Sequence, residues 1–493
     1  MGIIEKQAIR GAIWSYTGVV IGAVTTILVY PKIFTSDQIG LLRILVAWAT
    51  LLGQFATLGF NRTTTMLFPW FRDPESRHHG FFALVLKIAL AGFILVVLFT
   101  LLFKPLILGD NPEPLFRQWF WMIVPLTAAT LLFFMFDTYY KVLYNAVQGT
   151  FLKEFLQRVL ILAAAFLFMA GAISFDQYVW FYLAAFSIPV VVLVSAIIRQ
   201  KAASLKFDGS FIDHAFRKKM IQVSFYGILT SFSGVLVLNI DSIMINQLLD
   251  LSNTGIYAIT FFIGSVILIP SRSLLKISSV VIADAWKKER QDEINTVYYK
   301  SCQAQLLIAL YLFTGIWVNV HNLFNPWLLP PEFEAGKYVI FFIGLSAVIQ
   351  MAGGTSNMIL FTSPRYRMHT WMMLGLVILL VLTNYLFIPV WGITGAAAAS
   401  ALSFLIYNLM KYLYLRKQFG FRPYDIKTVI MILTAVVIGW IATLIPRLDF
   451  FLTDIVVRGL VVTVLFYLAT RYFRLSEDIL KKLRFGTGKS QKK

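Results

Sequence analysis

Stretches of about twenty residues dominated by Leu, Ile, Val, Phe and Ala recur along the chain, each closed by a short charged or Pro/Gly-containing segment. A helix rising ~1.5 Å per residue needs roughly that length to cross a ~30 Å hydrocarbon core, so each stretch predicts a transmembrane helix. Fourteen are predicted, at 11–30, 39–61, 81–103, 118–140, 155–173, 177–198, 220–247, 255–275, 302–324, 337–361, 370–389, 393–415, 427–446 and 453–471. The chain is therefore expected to be an all-α polytopic membrane protein.

Composition agrees with the pattern. Hydrophobic residues make up 59% of the chain, charged residues only 14%, and the mean hydropathy is +0.76. One cysteine, Cys302, excludes an intramolecular disulfide framework, and the five histidines show no metal-binding spacing. The first apolar run spans the membrane without a cleavage-type end, so it is read as the first helix rather than a signal peptide.

Charge then orients the chain, because cytoplasmic loops collect Lys and Arg. The odd-numbered connections carry only Lys32, Lys104, Arg117, Lys337 and Arg447, five of 43 basic residues. RQKAASLKF with FRKKM, WKKER, SPRYR, LRKQFGFRP and the tail KKLRFGTGKSQKK fall on the opposite side with both termini, which are expected to be cytoplasmic. The net charge of +19 thus needs no nucleic-acid partner; topology and anionic membrane lipids account for it. Trp70, Trp119, Trp121, Trp180, Trp327, Trp371 and Trp391 stand near predicted helix ends, as an aromatic belt would. GTGKS in the tail lacks the upstream glycine and the flanking strand and helix of a nucleotide-binding loop.

An internal repeat sets the domain organisation. FTSDQIGLL and LDLSNTGIY place Gly40 opposite Gly255 at an offset of about 215 residues, and AGAIS pairs with VWGIT at about 220. LILGDNPEPLFRQWF pairs with LLPPEFEAGKYVIFF at a similar offset. The expected organisation is an N-lobe of helices 1–6 (1–198), a basic cytoplasmic linker (199–219) and a C-lobe of helices 7–12 (220–416). Two appended helices (417–472) and a basic cytoplasmic tail (473–493) follow.

From Gly11 to about Arg416 the chain also resembles a known family. GAIWSYTGVVIGAVTTILVYPKIFTSDQIGLLRI with LGFNRTTTMLF, NIDSIMINQLLDLSNTGIYAI, LLPPEFEAGKYV and IPVWGITGAAAASALS, in that order and spacing, resemble polysaccharide flippases of the Wzx type, in the MATE-like MOP exporter superfamily. The resemblance implies two pseudo-symmetric six-helix lobes around a cavity and alternating access by rocking. It also implies transport of a polyprenyl-pyrophosphate-linked oligosaccharide for surface polysaccharide, lipopolysaccharide or O-antigen synthesis at the bacterial inner membrane. Polysaccharide polymerase or ligase machinery would be a further partner, and a monomer is expected. Two departures stand out. Ser242 follows the helix-seven Asp241, where many members have a basic residue, and no carboxylate lies between Ile13 and Val29, where many MATE drug exporters have one. The Arg/Asp-rich early pattern of peptidoglycan-precursor flippases is also missing.

Such a substrate needs a wet cavity for its glycan and cations for its pyrophosphate, with arginine suited to forked contacts and lysine to point charge. Charges inside spans cost roughly 2.5 to 3.5 kcal/mol at a helix centre, which makes them functional suspects. Arg43 lies about 9 Å beyond Asp37, and Asp241 roughly 13 Å before Asp250, both in the outer half of the membrane. Arg43 is expected to contact pyrophosphate or to pair with Asp241 as an outer gate; a structural polar anchor is the plain alternative for each. Asp137 and Lys141, four residues apart, are expected to pair. Arg62, Lys87, Arg272 and Lys276 lie near cytoplasmic helix ends, where they either snorkel or first capture the pyrophosphate. Arg458, outside the repeat, is expected to make lipid or packing contact.

The pyrophosphate candidates are therefore Arg43, Arg62, Lys87, Lys141, Arg272 and Lys276, and the gate or ion-coupling candidates are Asp241 and Asp137. No cofactor or metal is expected, and coupling to H⁺ or Na⁺ is left open. Small-residue runs GITGAAAAS and IQMAGGTSN suit close helix packing. A membrane enzyme acting on the same lipid is the rival from another class, but the longest outer connection, Lys104 to Arg117, holds no paired His/Glu constellation that could act as base and nucleophile. A MATE-like ion-coupled exporter of a small molecule, or a flippase of another lipid-linked precursor, remains the alternative.

Overall fold

In the computed structural model, residues 3–109, 112–210 and 212–475 are described; the tail bearing GTGKS lies outside them. Among the described residues the chain is helical throughout, with no strand. Twelve helices among the described residues are long and apolar enough to cross a membrane. One of them, Tyr366–Phe419, bends at Gly392 (φ 57°, ψ −138°), three residues after Pro389, and holds both predicted spans 370–389 and 393–415. The remaining predicted span, 155–173, is met by a π-helical turn, Phe151–Leu156, running into the 13-residue helix Gln157–Met169.

Local sequence explains where the helices start. In FTSDQ, the Thr35 hydroxyl accepts from the Gln38 amide and the Gln38 side chain accepts from the Thr35 amide; Ser174 and Gln177 repeat this box in SFDQ. Each cap satisfies otherwise orphaned amides and stabilises by about 1 kcal/mol. Asp213 accepts from the Phe216 amide at 2.7 Å, so the helix His214–Leu248 begins inside the segment read as linker.

Two compact units divide the chain, Met1–Ala258 and Ile259–Lys493. At the centre of the first is Ser36–Ala56, packed against Phe81–Leu102, Ile123–Val142 and His214–Leu248. Lipid tails are as apolar as leucine, so helix association in a membrane relies on close packing rather than water exclusion. Gly40 and Gly255 supply such a contact: a Cβ on either would strike backbone of the other's helix, and the Ser252 hydroxyl donates to Ser36 Oγ at 2.8 Å beside them. Residues matched by the sequence repeat thus meet face to face. The segment after Arg199 returns across this unit, with Ala202 accepting from Tyr139 at 2.9 Å and the Asp208 amide donating to His79 at 3.0 Å.

In the second unit, Gln291–Val318, Lys337–Ala352 and Tyr366–Phe419 pack together, and the run Ala396–Ala401 is buried. Ile426–Thr443 and Phe451–Tyr472 close one side, contributing Met431, Ile438, Val462 and Phe466 to a core with Ile267, Leu306 and Leu310. Arg458 pins them: it donates to Asp454 at 2.8 Å, to Ala442 O at 2.8 Å and to Ile445 O at 2.8 Å. Asp454 also accepts from Asn322 at 2.6 Å and from the Leu448 amide at 3.2 Å. Of the seven predicted belt tryptophans, six are exposed; Trp119 is buried.

Candidate functional site

The first unit contains two adjoining cavities of about 380 and 230 Å³ that share Phe133, Phe134, Lys153 and Glu154 as walls. Ser15, Gln54, Asn61, Asp137, Lys141 and Thr150 add polar lining to the larger, and Thr50, Gln157 and Arg158 to the smaller. Five charged side chains therefore line this pair of open cavities.

A π turn holds one extra residue, which breaks the regular register and often marks a functional site. The turn Phe151–Leu156 carries Lys153 and Glu154, with Arg158 four residues after Glu154. Arg158 donates to Glu154 at 2.7 Å and to the Gly18 carbonyl at 2.6 Å, tying the turn to the opening helix Ile3–Ala23. Gly18 and Gly22 admit this approach, since a Cβ at either would overlap Glu154 or Arg158. The opening helix has a π segment of its own, Val24–Val29.

Asp137 and Lys141 pair at 2.5 Å, across the (i, i+4) spacing expected from sequence. Asp137 packs its carboxylate against Gly149, and its Oδ1, like Asn61 Oδ1, is buried with no hydrogen-bond partner among the described residues. Glu154 is thus matched by Arg158 and Asp137 by Lys141, which leaves Lys153. Its ammonium lies 4.7 Å from the Phe134 ring centroid and 5.7 Å from that of Phe133, and makes no ion pair among the described residues. The cavity therefore carries one unmatched positive charge, backed by aromatic rings and bordered by unused acceptors. Such an arrangement can hold an anion together with hydroxyl-rich groups.

Arg43 occupies a second polar junction of the same unit. From Ser36–Ala56 it donates through Nε to Ser242 Oγ at 2.9 Å and through Nη2 to Leu238 O at 3.1 Å. Ser242 follows Asp241, so Arg43 lands on the turn of His214–Leu248 that bears this buried carboxylate. Asp241 in turn accepts from Tyr257 at 2.7 Å. The serine at the position where a basic residue was expected accepts the hydrogen bond of an arginine from another helix.

The other candidates are dispersed. Arg62 reaches Thr230 at 3.5 Å beside Gly227, Lys87 is exposed on Phe81–Leu102, and Arg272 is exposed in the second unit. The side chain of Lys276 lies outside the described residues. Of the eight residues proposed from sequence, the structure brings Asp137 and Lys141 into the cavity and sets Arg43 against the helix turn that bears Asp241. Lys153, Glu154 and Arg158 were missed, although the KEFLQR spacing of Glu154 and Arg158 at (i, i+4) and the Gly18/Gly22 pair were visible.

Comparison with known proteins bears on the fold. Neither a family model nor a curated protein matches the chain. Among solved structures, the lipid II flippase MurJ in an inward closed conformation superposes with a TM-score of 0.75 at 12% identity, covering 94% of this chain and 99% of that one. An inward-facing multidrug resistance MATE family transporter of the MOP superfamily gives 0.61 at 10% identity, over 83% of this chain and 98% of that one. An outward-facing transporter of the same description gives 0.51 at 11% identity, over 84% and 96%. This chain is a multi-pass membrane protein with the fold shared by MurJ and the MATE transporters.

Proposed function

We propose that this protein is a transporter, of the Wzx type, that flips a polyprenyl-pyrophosphate-linked oligosaccharide across the bacterial inner membrane for surface polysaccharide or O-antigen synthesis. The observation that supports this reading best is the larger cavity of the first unit, lined mainly by polar and charged groups against Phe133 and Phe134 and carrying the unmatched ammonium of Lys153 beside the Asp137–Lys141 pair. A pyrophosphate bears about two negative charges and is drawn to such a place, while a glycan needs the hydroxyl, amide and carboxylate groups that line it. Both termini are cytoplasmic in this reading, the chain works as a monomer on a substrate whose tail stays in lipid, and it performs no catalysis. Asp137, with one carboxylate oxygen unused, is the coupling candidate on this side, whether the ion is H⁺ or Na⁺. Arg43 acts as a gate residue at the turn bearing Asp241.

A second reading, flipping of another lipid-linked precursor, draws on the likeness to MurJ, but at 12% identity that likeness concerns fold. Export of cationic drugs is disfavoured by the positive excess in the cavity. The test is a strain lacking the gene, scored for surface polysaccharide and accumulated lipid-linked oligosaccharide. Rescue by the wild type and failure of Lys153→Ala at matched membrane expression support the proposal. Normal polysaccharide in the deletion strain, or full rescue by Lys153→Ala, would count against it.

A further inference from the structure

In the second unit, Lys411 sits about two turns before the end of Tyr366–Phe419, where a lysine stem is long enough to snorkel to the headgroups. It does not do so. The side chain is 2% exposed, and its ammonium donates to Asn357 Oδ1 at 2.9 Å and lies 4.4 Å from the Tyr407 ring centroid. Its titratable neighbours are Tyr407, Cys302 and His369, none of them a carboxylate, and it makes no ion pair among the described residues.

The surroundings are rich in oxygen. Asn357 lies just beyond a helix break, Gly353–Thr355, between Lys337–Ala352 and Ser356–Thr362. Thr355 Oγ1 and Ser356 Oγ, both buried, have no hydrogen-bond partner among the described residues. Asn408 Oδ1, one turn before Lys411 and packed against Gly353, has none either. Asn357 Oδ1 also accepts from Tyr407 at 3.2 Å, so a single amide oxygen serves two donors. Uncharged oxygens gathered at a helix break are groups a desolvated monovalent cation can draw on, and of these the Lys411 ammonium bonds Asn357 Oδ1, leaving the others idle beside it.

We propose that the break at Gly353–Thr355, with Asn357 just beyond it, is a monovalent-cation site permanently occupied by the ammonium of Lys411, a tethered cation in place of a free alkali ion. The second unit then holds its structure without Na⁺ or K⁺, and removing the lysine side chain creates a site for a small cation. This goes beyond the proposed substrate and does not depend on it: the site can be tested on the purified protein with no glycolipid present.

The experiment is thermal unfolding of the purified full-length protein in chloride salts of Na⁺, K⁺, methylammonium and choline at equal ionic strength. The wild type is expected to unfold at the same temperature in all four. Lys411→Ala is expected to unfold several degrees lower in choline and to regain at least half of that loss in methylammonium, which replaces the missing group. Lys411→Met, which fills the space with an apolar chain, is expected to gain nothing from methylammonium. If Lys411→Ala does not accumulate in cells, its recovery with methylammonium in the growth medium reads the same claim. Stabilisation of the wild type by Na⁺ or K⁺, an unchanged unfolding temperature for Lys411→Ala, or failure of methylammonium to restore it, in the purified protein or in cells, would overturn the proposal.

Discussion

Two groups of charges in this chain look alike in sequence and differ in burial and in how fully they are used, the first buried and the second half-buried to exposed. Asp454 and Arg458, four residues apart near the end of the chain, are closed on themselves: three guanidinium nitrogens and both carboxylate oxygens have partners at 2.6 to 3.2 Å, and exposure is 1% and 3%. Glu154 and Arg158 have the same spacing, yet they border cavities where, among the described residues, Lys153 makes no ion pair and Asp137 Oδ1 has no hydrogen-bond partner. A saturated cluster holds helices together. An unsaturated one, kept open inside a membrane where each idle polar group is expensive, is where binding is to be sought.

The comparison can be broken by mutation. Removing one partner of the saturated pair should have the largest effect on stability. Arg458→Met strands Asp454 and should cost about 3 to 5 kcal/mol, lowering the unfolding temperature by several degrees and depleting protein from the membrane, with little change in transport per folded molecule. In the cavity the pattern should invert: Lys153→Met is expected to shift stability by under about 1 kcal/mol, because no ion pair is lost, while transport falls by at least roughly tenfold. Unfolding and vesicle transport measured on the same preparations decide whether the two clusters differ in kind. Arg43→Lys should fall between them. A lysine keeps the charge but not the fork that spans Ser242 and Leu238, so transport should fall several-fold with about 1 kcal/mol lost.

The smallest effect concerns pH. His321, at the margin of the saturated cluster, has its pKa lowered by burial and then by Arg447 and Arg458, against the pull of Asp454. A histidine with a depressed folded-state pKa contributes stability above its ordinary titration range and loses it as the pH falls through the folded value. His321→Asn should therefore flatten the loss of stability on acidification below about pH 6.5. An unchanged acid limb in denaturant titrations would remove His321 from the account.

Much of the fold was legible because its signals are local or periodic. Apolar runs of membrane length marked the helices, capping boxes in FTSDQ and SFDQ marked two starts, and the repeat matched Gly40 to Gly255, which pack together. The pair Asp137 and Lys141 was readable from spacing alone. Less legible were features set by departures from regular helix geometry. A π turn cannot be read from hydrophobic period, so Lys153 and Glu154 fell in the connection before a predicted span rather than in a cavity wall. Lys411 was lost among the basic residues of a helix end, where charge counting explains topology and says nothing about burial. Arg458, read as lipid or packing contact, is a packing contact whose partner, Asp454, stood four residues away.

The most direct test of the central claim is binding of a polyprenyl-pyrophosphate-linked oligosaccharide to purified protein in lipid nanodiscs, comparing wild type, Lys153→Met and Arg458→Met. The account predicts that Lys153→Met weakens binding by at least about tenfold while the folded fraction of Arg458→Met binds as the wild type does. Equal affinity for wild type and Lys153→Met would contradict it.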